Sequence, residues 1–479
     1  MLEWHQLLSR LPGIAFDVLY LGIIIGTIVV IILDNRNPVK TLSWVLVLTF
    51  LPVVGLVFYL FFGRSNRRER IISRKLYNRL VKRPKAEYLS QETIALPVAY
   101  GRLISLLQTT AQALPFEGNR IEIYASGLPF LRSLLRQIGR AEHHIHLEFY
   151  IFEDDGLGRM VRDALVAKAR AGVEVRVIYD DVGCWHVPKR FFEEMREAGI
   201  EVRSFLKVRF PQFTSRVNYR NHRKIVVIDG RIGFVGGMNL ADRYFRGPSW
   251  GTWRDTQLLL EGKAVHGLQT AFLLDWYFTD NTLNSSSRYF PTLQPLGSSL
   301  VQVVTSEPIG QWKEIMQGIV AAIAAARTYF YMQTPYFLPT EQVLAAMQSA
   351  ALSKVDVRLM LPLRADNRIT HLGSCSYLGD VLQAGVKVYF YRPGFLHSKL
   401  MVSDDAFSTV GSTNLDFRSF EHNFEVNAFI YDRDTALQMR DIFLQDQHEC
   451  VQLFAKNWAK RPVWKKCMES VVRLMAPLL

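Results

Sequence analysis

Two long apolar runs lie near the start of the chain, over residues 14–33 and 41–62. At 20 and 22 residues each can cross a bilayer core as a helix. Neither shows the polar stripe expected of a core helix this long. Asp17 sits near one end, where the interface hydrates it, and Pro52 predicts a kink in the second run. No small-residue cleavage site follows at Asp34-Asn35-Arg36-Asn37-Pro38, and the second run comes at once, so the pattern reads as a membrane hairpin and not a removable leader. From about Glu117 the pattern changes to short β-branched and aromatic runs alternating with helical stretches, which predicts an α/β fold. That order occurs twice. The first copy reads as a strand over 144–152, a helix over 157–171, a strand over 173–179, a further helical stretch and Ala198-Gly199-Ile200-Glu201-Val202. The second reads as a strand over 329–334, a helix over 341–352, a strand over 355–361 and then Ala384-Gly385-Val386-Lys387-Val388.

The predicted organisation is a membrane anchor over 1–62, a juxtamembrane segment and linker over 63–116, and two α/β halves over 117–295 and 296–479. A length of 479 residues suits about three such units. With 49% apolar and 21% charged residues, disordered, collagen-like and disulfide-stapled classes are excluded. Cys184, Cys375, Cys450 and Cys467 lie far apart with no C-x-x-C pair, which predicts reduced thiols and no zinc knuckle.

The net charge of +13 points to an anionic partner, and its location says which kind. Between Arg64 and Lys85 ten basic residues face Glu69 alone, so the rest of the chain carries only +4. A nucleic-acid enzyme spreads basic residues over its catalytic body, and this chain does not. The block instead follows the second apolar run, while the connector between the runs holds only Arg36 and Lys40. The positive-inside bias therefore places the N-terminus and the bulk of the chain in the cytoplasm. A polybasic stretch there is also drawn to anionic lipid.

Each half delivers one sparse signature. His222, Lys224, Asp229, Gly236 and Asn239 stand in NHRKIVVIDGRIGFVGGMN, and His397, Lys399, Asp404, Gly411 and Asn414 in LHSKLMVSDDAFSTVGSTN, at identical offsets from each His. Chance gives this on the order of once in a million start positions at ordinary residue frequencies. Residues i and i+2 of a strand share a face, so each half would present an imidazole and an ammonium together, and one pocket could receive both pairs. Asp229 and Asp404 lie an odd seven residues on, off that face, and Asp229-Gly230 is a hairpin signal. On these grounds they are turn residues. Glu425, in HNFEVN, and Asp255, in WRDTQ, are the better candidates to hold an imidazole tautomer. Two histidines and two lysines without paired carboxylates suit displacement at a phosphodiester: one imidazole attacks phosphorus, the other protonates the leaving alkoxide, and the lysines neutralise the oxygens. Gly236, Gly237, Gly411, Asn239, Ser412 and Asn414 would let backbone approach the phosphate and donate to it, or else serve hairpin geometry. H-x-K is not a ligand spacing, so no metal and no other cofactor is expected.

The duplicated H-x-K-x4-D-x6-G-x2-N resembles the phospholipase D superfamily over roughly residues 121–446. The N-terminal NPVKTLSWVLVLTFLPVVGLVFYLFFGR, HLEFYIFEDD, QTPYFLP and VGSTNLDFRSFEHNFEVN are similar to its bacterial cardiolipin synthase subgroup. The resemblance implies a duplicated phospholipase D-like fold, two α/β halves with the active site between them, preceded by two transmembrane helices. It implies condensation of two phosphatidylglycerols into cardiolipin with release of glycerol at a bacterial inner membrane. His222 and His397 are then the catalytic pair, Lys224 and Lys399 their phosphate partners, and Asp229 and Asp404 complete the motifs. Glu425, Gly236, Asn239, Gly411, Ser412 and Asn414 would serve the substrate. The second motif departs in Ser403, where an apolar residue usually precedes the Asp. A hydrolase, or a synthase using another alcohol, shares this signature; a silent membrane scaffold is disfavoured by two complete motifs. His143, His144 and His146 read as structural. The stretch from Trp464 to Met475 has apolar residues at helical spacing with basic ones between, fit for a membrane interface or for packing on the catalytic body.

Overall fold

The computed structural model describes residues 20–33, 38–59, 73–90, 96–207, 218–283 and 286–476. The chain divides into two units, residues 1–66 with 208–218, and residues 67–207 with 219–479. In the smaller unit residues 20–33 are helical, followed by helices Pro38–Phe50 and Pro52–Phe58. The second apolar run is thus divided, not continuous. Pro52 lacks an N–H and its ring pushes the preceding residue out of the helical region; Leu51 sits at φ −132°, ψ 64°. Ile31, Leu48 and Tyr59 pack together beside Trp44. Among the described residues no helix is long and apolar enough to cross a membrane. Residues 14–19 and 60–62 of the expected spans lie outside the described residues.

The larger unit is built on one sheet. Its first repeat contributes β1 (Pro115–Tyr124), β2 (His144–Phe149), β3 (Glu174–Asp180), β4 (Glu201–Phe205), the short β5 (Arg220–Asn221), β6 (Ile225–Ile228), β7 (Ile232–Gly236), the short β8 (Thr252–Arg254) and β9 (Gln257–Glu261). The second contributes β10 (Ser299–Ser306), β11 (Tyr329–Gln333), the short β12 (Phe337–Leu338), β13 (Asp356–Pro362), β14 (Lys387–Tyr391), the short β15 (Gly394–Leu396), β16 (Leu400–Ser403), β17 (Phe407–Gly411), the short β18 (Leu415–Asp416), β19 (Asn423–Tyr431) and β20 (Cys450–Leu453). The sheet order is β20-β14-β13-β11-β16-β17-β19-β10-β1-β9-β7-β6-β2-β3-β4. Read outward from the central β10·β1 pair, β10-β19-β17-β16-β11-β13-β14 and β1-β9-β7-β6-β2-β3-β4 are one order written twice. Within each half the strands that need a crossover, β2·β3·β4 and β11·β13·β14, pair parallel, and the hairpins β6·β7 and β16·β17 antiparallel.

Strands covered on both faces read as unbroken apolar runs, because alternate residues feed different cores. In β6, Ile225 and Val227 face a core shared by both repeats, while Val226 and Ile228 face one private to the first. The shared core is closed by helices Val265–Asp280 and Arg433–His448. Helices Gly127–Arg140, Gly156–Arg170 and Lys189–Glu197 cover the outer face of the first repeat. On the second repeat that face is covered by helices Glu314–Ala325, Glu341–Leu352 and Arg368–Ala384. Helix Gly101–Thr110 joins this last layer through buried Leu103, Ile104 and Leu107. The later part of the stretch read as linker is therefore catalytic-body core.

Candidate active site

The His-x-Lys segments are not within strands. Each lies in the extended crossing just before a hairpin, His222 to Lys224 ahead of β6 and His397 to Lys399 ahead of β16. What places each histidine is a short parallel pairing with the other repeat. β5 pairs with the start of β19, and the His222 N–H donates to the Phe424 carbonyl at 2.9 Å. β15 pairs with β8, and the His397 N–H donates to the Arg254 carbonyl at 2.7 Å. Each imidazole is thereby set beside a carboxylate of the opposite repeat. His222 Nδ1 lies 3.1 and 3.2 Å from the Glu425 carboxylate oxygens, and His397 Nδ1 lies 2.6 Å from Asp255 Oδ2.

Both histidines line one cavity of about 410 Å³. Its wall also carries Arg220, Arg243, Arg418, Tyr244, Trp253 and Tyr336. Asp366 and Asp416 share that wall, and Arg220 and Arg243 also meet Asp180 and Glu153, so the wall is mixed in charge, with three guanidinium groups able to meet a phosphate diester. Asn239 and Asn414 line it too. Asn239 is tied by its side chain to the Ile151 N–H and the Tyr244 hydroxyl, whereas the Asn414 side-chain oxygen has no hydrogen-bond partner among the described residues.

Burial dominates the ionisation. It pushes the His222 imidazole down to about 4, against the pull of Glu425, and His397 down to about 3, where Lys399 adds to the effect. Burial alone would raise Glu425; its contact with His222, the ammonium of Lys224 and the Ser412 hydroxyl bring it down to about 2. The resting site thus holds two neutral imidazoles against two ionised carboxylates. Both lysines are buried behind the cavity and neither lines it, because each ammonium folds back to the carbonyl of its own motif histidine. Lys399 Nζ also lies 2.9 Å from His397 Nδ1. Burial lowers both lysines, Lys399 to about 8.

Asp229 and Asp404, read as completing the motifs, stand outside this cavity. Each occupies a hairpin turn at positive φ, 55° and 53°. The Asp229 carboxylate accepts the N–H groups of Glu142, His143 and His144, and Asp404 those of Arg327, Thr328 and Tyr329. They tie the hairpin tip to the start of β2 and of β11. Gly236 and Gly411 do not line the cavity either: a Cβ at Gly236 would lie 2.5 Å from the Thr256 carbonyl, and one at Gly411 2.3 Å from that of Val426. Ser412 serves Glu425, and Gly237, its counterpart, leaves room for Asp255.

Arg223 and Arg254, which the spacing did not single out, brace the carboxylates. Arg223, fully buried between His222 and Lys224, is held by Asp275 at 2.5 and 2.6 Å and donates to the Glu425 carbonyl at 3.1 Å. Arg254 is held by Asp446 at 2.9 and 3.1 Å and donates to the Asp255 carbonyl at 2.7 Å. Beside Asp446, Gln333 donates from its amide at 2.8 Å. The matching residue of β2 is Glu148, close to Asp275 and bonded by Asn221; burial and Asp275 push its carboxyl well above the ordinary range.

A family model described as cardiolipin synthase, PLD-like domain, matches residues 134–264 and again 319–447, and one described as phospholipase D-nuclease N-terminal matches residues 22–64. The chain is 38% identical to the major cardiolipin synthase ClsA of Bacillus subtilis (strain 168), across 98% of this chain and 100% of that protein. It is 40% identical to cardiolipin synthase 2 of Bacillus cereus, across 94% and 89%. Among solved structures, phosphatidylserine synthase of Haemophilus influenzae Rd KW20 superposes with a TM-score of 0.61 at 13% identity, over 79% of this chain and 100% of that one, a likeness of fold. With both repeats matched and the relatives aligned nearly end to end, the chain belongs to the cardiolipin synthase family of the phospholipase D-like fold.

Proposed function

We propose that this chain moves a phosphatidyl group from one phosphatidylglycerol to the terminal hydroxyl of another, giving cardiolipin and glycerol, and that His222 and His397 carry the reaction. The observation that carries the assignment is two neutral imidazoles in one cavity, each with Nδ1 against a buried carboxylate of the opposite repeat. Donation of the His222 Nδ1 hydrogen to Glu425 leaves the Nε2 lone pair free, which makes His222 the nucleophile. Asp255, 2.6 Å from His397 Nδ1, accepts the Nδ1 hydrogen and stabilises the imidazolium that His397 forms once a proton is taken up with the anionic substrate, so that His397 gives its Nε2 proton as general acid. His222 Nε2 bonds to phosphorus, the bond from phosphorus to the glycerol oxygen breaks, and that oxygen takes the His397 proton. His397 then removes the proton from the hydroxyl of the second lipid, whose oxygen displaces His222. Arg220 and Arg418 face the non-bridging oxygens, Lys224 and Lys399 stand behind the histidines on the carbonyls of their own motifs, and Asn414 meets the substrate with its free oxygen.

The runs over 14–33 and 41–62 anchor the enzyme in a bacterial inner membrane with the catalytic unit on the cytoplasmic side. Their length, the following basic block and the family match over residues 22–64 support this. Halves at 117–295 and 296–479 follow the repeated strand order, with helix Gly101–Thr110 added to the second.

One phosphodiester replaces another, so the reaction is close to balanced and needs no nucleotide. Cardiolipin supplied with excess labelled glycerol should return labelled phosphatidylglycerol. Release of phosphatidic acid without incorporation of label would make the chain a hydrolase instead.

A further inference from the structure

Helix Val463–Leu474 meets the catalytic body along one face only. Glu469 is buried against Arg461, Val472 reaches Gly373, and Arg473 spans to Asp380 and the Ser376 carbonyl, so the helix is clamped on helix Arg368–Ala384. Just beyond it Ala476 is buried in the second repeat's core. The outward face is different in kind. Trp464, Met468, Val471 and Met475, at steps of four, three and four residues, form one stripe with Leu474 beside it. Trp464 is 65%, Val471 62% and Leu474 82% exposed. A solvated helix face is ordinarily polar; here the charged residues all lie on the packed side or its margins.

The surroundings say what covers this face. Between Val451 and Ala476 there are six basic residues, Lys456, Lys460, Arg461, Lys465, Lys466 and Arg473, against the buried Glu469. With Arg461 and Arg473 taken up by Glu469 and Asp380, the four lysines remain as a rim of one sign, which opposes the pairing of two copies and complements an anionic surface. The supporting helix also leads to the cavity: Asn367, which caps it, and Thr370, in its first turn, line the catalytic wall, with Leu363 and Ile369 exposed alongside.

We infer that helix Val463–Leu474 is a docking surface for an anionic bilayer, lying in the interface with its apolar stripe in the acyl boundary and its lysines at the phosphates. This rests on the reading of the substrate as a membrane lipid. Docking through this helix holds the wall at Asn367 and Thr370 against the layer from which lipid is drawn.

The test uses the full chain in vesicles of phosphatidylglycerol and phosphatidylethanolamine, spin-labelled through Val471→Cys in a Cys467→Ser background, with Arg190→Cys as an exposed control. The Val471→Cys label should collide more with lipid-dissolved oxygen than with an aqueous nickel chelate, and the Arg190→Cys label the reverse. This reading needs no turnover, so it stands apart from any failure of the cardiolipin assignment. Trp464→Ser, Val471→Ser and Leu474→Ser together should raise the apparent KM for vesicle phosphatidylglycerol about tenfold with kcat unchanged, and leave turnover of monomeric short-chain phosphatidylglycerol as it was. A water-exposed label, an equal loss on both substrates, or spin–spin coupling between two copies at Val471→Cys would overturn the proposal.

Discussion

In the proposed mechanism the chemistry rests on two imidazoles that burial keeps neutral in the resting site. An unperturbed histidine titrates near 6.5, but here both charged forms are disfavoured, to about 4 for His222 and about 3 for His397. The nucleophile needs the neutral form, which exists above these values. Protonation of the nucleophile therefore costs kcat/KM nothing as pH falls through 6.5 and tells only towards pH 4, while loss of the two buried lysine charges sets an alkaline limb no higher than about 8. A pH–rate profile on a fixed lipid dispersion checks this, and an acid limb near 6.5 would mean the resting imidazoles are not buried as described. Much of this was legible in sequence. Two copies of one spacing drew out His222 and His397, and Glu425 and Asp255 followed as acids just downstream. Arg220, Arg243 and Arg418 were not legible: an isolated arginine carries no spacing, and only the folded wall brings them together. Lys224 and Lys399 do not share a strand face with their histidines, because the chain there is an irregular crossing and each side chain turns back on the main chain.

The hairpins β6·β7 and β16·β17 show what an element adds to a motif. Asp229 belongs to the sequence signature yet acts at the far end of its hairpin, accepting three N–H groups ahead of β2. Its odd spacing from His222 foretold that position. Asp229→Ala should lower stability by about 2 kcal/mol in urea unfolding, through loss of charge-assisted hydrogen bonds, while kcat of the folded protein changes little. A kcat loss as large as that of His222→Asn would make Asp229 part of the chemistry. In β2, Glu148 stands where β11 has Gln333. Glu148→Gln should consequently be nearly silent in both stability and kcat, and Glu148→Ala should not; equal damage from both would show that an ionised carboxylate is required there. The long strands were readable from apolar runs, since both faces are buried. The two- and three-residue strands β5, β8 and β15, which position the histidines, were beyond any periodicity argument. Helix Gly101–Thr110 was missed in the expected linker, though Leu103, Ile104 and Leu107 carry the helical spacing of its buried face.

At the scale of the molecule, the two repeats are one strand order written outward from β10 and β1, and neither holds a complete site. His222 takes its carboxylate from the second repeat and His397 from the first. The duplication visible in sequence thus accounts for the doubled motif. The exchange of carboxylates was not readable, since it depends on which short strands pair across the repeats. The second apolar run, expected as one helix, is divided at Pro52, where the chemistry of proline had predicted only a kink. The central claim, that both histidines of this shared site serve a transfer between two lipids, is tested most directly by giving the purified protein labelled phosphatidylglycerol alone and identifying the products, beside a His222→Ala, His397→Ala double variant. The account predicts cardiolipin and free glycerol in equal amounts from the native chain and neither from the variant. Cardiolipin formed undiminished by the double variant would contradict it.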